Sequence, residues 1–106
     1  MIAAVRVSTG TNAARQYAGT MAGFWGGLSG TLRALEGIAG DARRLEGAET
    51  TLRALQYRLH WSSELLAGVE PPHHAREAHA ELADALVEAR DSTAAMATAS
   101  AALPAV

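Results

Sequence analysis

Apolar residues return along this chain at alternating intervals of four and three, the interval that keeps them on one side of an α-helix. Three stretches show it. In the first, Ala14, Ala18, Met21, Trp25, Leu28, Leu32, Leu35 and Ala39 form one row. In the second, Leu45, Ala48, Leu52, Leu55, Leu59, Ser62, Leu66 and Val69 do the same with a single polar member. The third runs through Ala75, His79, Leu82, Leu86, Ala89, Thr93, Met96, Ser100 and Leu103. A strand needs alternation of period two. Ile2, Val5 and Val7 hint at one, but no second strand follows to pair with it. The pattern therefore predicts an all-α fold, an antiparallel three-helix bundle forming a single helical domain over 1–106, with helices roughly over 11–39, 41–69 and 72–103.

The punctuation agrees with these bounds. Ser8, Thr9 and Thr11 are N-cap residue types, and the first helix is expected to start near Thr11. Gly40-Asp41 reads as a helix stop followed by a cap. Pro71-Pro72 ends the second helix, because proline lacks an N–H and disfavours α geometry in the residue before it. Pro72 is also suited to the first turn of the third. Two alternatives remain open. The first helix could break into a loop around Phe24-Trp25-Gly26-Gly27. Alternatively, Tyr17, Phe24, Thr31, Ile38, Leu45, Leu52, Leu59 and Leu66 keep one seven-residue register across Gly40-Asp41, which allows one very long helix plus a hairpin partner helix.

A second stripe runs beside the first row: Gly19, Gly23, Gly26, Gly30 and Gly37. Each glycine inside a helix costs roughly 0.5–1 kcal/mol relative to alanine. Close approach of another helix backbone is the usual compensation. The stripe lies about 100° from the Trp25 row, so one helix presents two packing surfaces. Gly19, Gly23, Gly26, Gly30 and Trp25 are accordingly the candidate oligomer-interface residues, and a homodimer or higher homo-oligomer is expected.

Composition narrows the function classes. Alanine occupies 25 of the 106 positions, and the aromatics are two Trp, two Tyr and one Phe, so the core is thin and closely spaced. All nine basic residues are arginine, with no lysine, a bias that fits GC-rich, bacterial coding rather than phosphate binding. A net charge of −2 argues against nucleic-acid affinity. Charge is uneven along the chain: Arg6, Arg15 and Arg33 face only Glu36 in residues 1–40, whereas Glu77, Glu81, Asp84, Glu88 and Asp91 dominate the last third. A weak attraction between the first and last helices is expected from this. There is no cysteine for a disulfide or thiolate site. Gln16 to Leu32 is uncharged, but its five glycines and its Thr and Ser residues suit a buried helix better than a membrane span. Met1 to Val7 has too short an apolar run for a signal peptide, and a cytoplasmic location is expected.

The histidines are the residues that suggest chemistry. His73, His74 and His79 gather with Glu70, Glu77 and Glu81 near the start of the third helix, and His60 belongs to the same end if the helices fold back. Imidazole and carboxylate suit zinc or iron. However, His74 and His79 are five apart, and Glu70-Pro71-Pro72-His73 cannot form a regular helical turn. His79 falls on the apolar row and reads as a hydrogen-bonded core histidine. Exposed, incidental histidines are the favoured reading, with no metal, cofactor or catalytic residue. Trp61 lies off its row and is a candidate partner contact if exposed.

Trp25-Gly26-Gly27 in a cysteine-free helical chain of this length resembles the secreted helical-hairpin family named for its Trp-X-Gly motif. That resemblance would imply a turn between two helices at the motif and a tyrosine-acid signal after the second helix. Here the tryptophan comes early and no tyrosine follows Tyr57, so the chain departs from the pattern. Pro71-Pro72 followed by His79, Leu82 and Leu86 is similar to small helical domains of GC-rich bacteria, which implies no activity. The expectation is a non-enzymatic interaction module that self-associates or binds a partner helix, with a protein partner and neither nucleic acid nor membrane insertion. The alternative is a metal- or small-ligand-binding protein using the His60, His73, His74 and His79 end.

Overall fold

A computed structural model describes residues 2–104, with side chains described from residue 12 onward. The fold is all-α: 87% of the chain is helical and no strand occurs among the described residues. Helix α1 spans Ile2–Ala39, the single-turn α2 Ala42–Leu45, α3 Glu49–Ala67 and α4 Arg76–Ala102, the last entered through a 3₁₀ turn at His73–Ala75.

These bounds differ from the expected ones for local reasons. α1 continues through Ser8–Thr11, where the caps suggested a start, and it also passes unbroken through Phe24-Trp25-Gly26-Gly27. The turn that the Trp-X-Gly resemblance implies is therefore absent. At its other end the Gly40 N–H bonds to the Glu36 carbonyl, and Asp41 caps α2 by accepting from the Arg43 N–H at 3.0 Å. The break at Gly40-Asp41 is real, so α1 and α3 are not one long helix. What the periodicity conceals is Gly47. Its φ of +73° lies in the left-handed region and ends α2 after four residues, so that α3 starts afresh at Glu49. α3 ends at Ala67, and Pro71-Pro72 lie in extended chain before the 3₁₀ turn.

α3 and α4 form an antiparallel hairpin. Leu59 and Leu66 meet Leu86, while Ala48 and Leu52 meet Ala97 at the other end. α1 lies lengthwise on this hairpin, mainly against α3, through Met21, Phe24, Leu28, Leu32, Leu35 and Ile38. The second and third rows read from sequence are thus the buried ones, apart from Leu103 at the end of the third, which is exposed. The first is rotated: Trp25, Ala18 and Ala39 are exposed, while Tyr17, Met21, Phe24, Leu28, Thr31, Leu35 and Ile38 face the hairpin. These seven keep the same 4,3 spacing but start from the larger residues. Tyr17, Phe24 and Ile38 together remove more apolar area from water than Trp25 with the two alanines Ala18 and Ala39, so the former set turns inward.

Two buried polar devices fasten the hairpin at its ends. At one end, Ser100 donates to the Leu45 carbonyl and accepts from the Ala48 N–H at 3.2 Å. It thereby ties the α2–α3 junction to the last turns of α4. At the other end His79 ties three segments together, as described below. The ion pairs among the described residues are local: Arg43 and Arg44 with Asp41, Arg53 with Glu49, and Arg90 with Asp91. None of these joins α1 to α4. No helix is long and apolar enough to cross a membrane among the described residues.

Candidate functional site

The four histidines stand in different environments. His79 is 9% exposed on the inner face of α4. Its Nε2 is 3.1 Å from the Leu66 carbonyl, which can only accept, so Nε2 carries the proton and donates. In the neutral ring Nδ1 then accepts from the Tyr17 hydroxyl at 2.8 Å. Both nitrogens are committed to holding α1 and the end of α3 onto α4. His73 and His74 are exposed in the 3₁₀ turn, and His60 stands on α3 with Nε2 4.0 Å from a Glu64 oxygen. Among the described residues no three His, Asp or Glu side chains come together in a way that would hold a metal ion.

The candidate interface residues occupy a different place. Gly19, Gly23, Gly26 and Gly30 lie on the outer side of α1, and a Cβ built on any of them would meet nothing within 4 Å. Gly37, by contrast, would press a Cβ to 3.3 Å from an Arg44 guanidinium nitrogen. The helices of this chain do not use the stripe as a close-packing surface. Trp25 is 53% exposed, about 100° or more around α1 from each of these glycines.

One feature of the surface was not legible as a pattern in advance. On α3, opposite its leucine row, Tyr57, Trp61 and Leu65 are 63%, 51% and 64% exposed. Their four-residue spacing stacks them into one ridge, with the Tyr57 and Trp61 rings edge to face at a centroid separation of 6.1 Å. The signal was present in the sequence as a second apolar series on α3, but the stronger leucine row overshadowed it. The ridge borders a shallow groove that Arg58 and Ser62 of α3 also line, and whose opposite wall is Gly27 and Thr31 of α1. Further along the same edge of α1, Gln16 and Thr20 border a second hollow closed by Pro71 and Pro72. Three large apolar side chains beside a small-residue wall form a concentrated apolar surface for so small a chain.

Comparison with protein-family models, with curated proteins and with solved structures finds no match to this chain.

Proposed function

We propose that this chain is a non-enzymatic interaction module, most simply a cytoplasmic one, in which α1, α3 and α4 form an antiparallel three-helix bundle whose outer faces associate with another copy or with a partner helix. The observation that carries this reading is the open glycine face of α1. Four glycines from Gly19 to Gly30 weaken the helix, yet no group of the same chain occupies the space they leave. Tyr57, Trp61 and Leu65 on α3, and Trp25 on another side of α1, are exposed large apolar side chains of the kind that carry most of the energy in helix-groove recognition. Catalysis has no comparable support: the one buried histidine is spent on two structural hydrogen bonds.

The test is substitution on the open face. Gly23→Leu and Gly26→Leu place a side chain where this chain itself offers no obstacle, so each variant should fold at least as well as the parent. If the face meets another helix closely, both should weaken association measured by sedimentation velocity. Association unaltered in both variants would show that the contact lies elsewhere.

A further inference from the structure

Resting on the partner-helix form of that reading, we infer that the exposed face of α3 around Tyr57, Trp61 and Leu65 is a docking site for an acidic amphipathic helix of another protein. That helix is apolar along one side and carries carboxylates along both edges of that side.

The argument begins with what stands on either side of the ridge. Toward α4 lies a hollow lined by Arg53, Gln56, His60 and Arg90. Toward α1 lies the groove that Arg58 lines. Tyr57 lines both, so the ridge is the partition between them. Acids outnumber arginines eleven to nine in the chain, yet no carboxylate among the described residues lines either hollow. Glu49, Glu64 and Asp91 stand 3.9, 4.0 and 3.1 Å from Arg53, His60 and Arg90 without entering these linings. The closest atom of Arg53 and of Arg90 in these pairs is Nε. A guanidinium has five N–H donors, so the Nη groups are left to meet an incoming carboxylate. Arg58 has no carboxylate partner among the described residues.

A helix is the shape that fits this face. From Arg53 to Leu65 it runs about 18 Å along α3, just over three turns. A helix laid along the ridge sets its apolar row on Tyr57, Trp61 and Leu65 and its two edges over the two hollows. Carboxylates on those edges meet Arg53 and Arg90 on one side and Arg58 on the other, whereas basic edges would set like charges together. A second copy of this chain fits less well. Its acidic helix is α4, but the exposed residues among Glu77, Glu81, Asp84 and Glu88 are Ala78, Ala80 and Ala85, which offer the ridge no large apolar side chain. Three arginines and a histidine, on a chain of net charge −2, are too few for a nucleic acid or an anionic membrane.

Fluorescence anisotropy tests this with a labelled peptide of about 18 residues, long enough to hold a helix. The peptide carries leucines at alternating intervals of three and four, glutamate at the flanking positions and alanine elsewhere. Its control carries lysine in place of each glutamate. The full-length protein should bind the glutamate peptide saturably and the lysine peptide at least tenfold more weakly. Trp61→Ala should weaken binding of the glutamate peptide at least tenfold, as loss of an aromatic anchor does. Arg53→Glu combined with Arg58→Glu should reverse the preference between the two peptides. All three positions are exposed, so the helical circular dichroism of each variant should match the parent. No saturable binding of the glutamate peptide, or equal binding of both peptides, would overturn the inference. Tighter binding to phosphatidylglycerol vesicles than to the peptide would overturn it too. If Trp61→Glu lowers the sedimenting mass of the protein alone, a second copy covers the ridge, and the inference fails while self-association stands. A monomeric parent that binds the glutamate peptide would sink the glycine-face contact between copies and support the α3 site.

Discussion

The Tyr17 hydroxyl and Nδ1 of His79 stand 2.8 Å apart across 62 residues of sequence, a donor from the middle of α1 on an acceptor near the start of α4. With Nε2 of the same ring on the Leu66 carbonyl, one imidazole fixes where α1 crosses the hairpin. Tyr17→Phe keeps the ring and removes the donor, which should cost about 1 kcal/mol. His79→Ala also leaves the Leu66 carbonyl without its partner and opens a small cavity, and should cost about 2–3 kcal/mol. Urea unfolding of the two variants at one fixed pH and concentration checks the order. Equal costs would mean that the Leu66 bond contributes nothing.

Ser100 is the matching device at the opposite end, and its two backbone partners make it sensitive. Ser100→Ala should destabilise the fold by about 1–3 kcal/mol, because it leaves a buried carbonyl and N–H less well satisfied. Thr93 is equally buried, but its hydroxyl bonds only to the Ala89 carbonyl four residues back. That carbonyl already has its helical partner, so Thr93→Val should change stability by less than about 1 kcal/mol. Thermal unfolding distinguishes the two, and a larger loss for Thr93→Val would refute this assignment.

Two glycines should respond in opposite directions to alanine. Gly47 holds a φ of +73°, so Gly47→Ala forces a left-handed conformation on a residue with a Cβ and should cost about 1 kcal/mol. Gly26 has open space around it, and Gly26→Ala should strengthen α1 by about 0.5–1 kcal/mol at concentrations where the chain is monomeric. Denaturation at low protein concentration reads both signs directly.

The exposed histidines should be dispensable. Replacing His73 and His74 together with alanine should shift stability by less than about 0.5 kcal/mol. Elemental analysis of the parent protein and the variant checks the accompanying expectation about metal. Stoichiometric zinc or iron in the parent, lost in the variant, would restore the metal-binding alternative.

The leucine row of α3 and the mixed row of α4 were legible because Leu52, Leu55, Leu59 and Leu66, and His79, Leu86, Thr93 and Ser100, are the dominant repeats on their helices. On α1 the row read from sequence holds in part, with Met21, Leu28, Leu32 and Leu35 packed inward, but a second row competes for the remaining positions. Alanine fits either side of a helix, so the row through Ala14, Ala18 and Trp25 scored as well as the one through Tyr17, Phe24 and Ile38. Only packing against α3 distinguishes them. The Gly47 break was hidden because the heptad register of the leucines passes over it in phase. At the candidate surface, the glycine stripe was legible from spacing alone. The Tyr57-Trp61-Leu65 ridge was not, because its meaning depends on which side of α3 the hairpin leaves uncovered.

The most direct test of the account is sedimentation equilibrium of the unmodified full-length chain at micromolar concentration, repeated with Gly23→Leu. Self-association through the glycine face requires a parent mass of at least twice 11.0 kDa and a shift toward the monomer in the variant. A parent that sediments as a monomer across that range would contradict it.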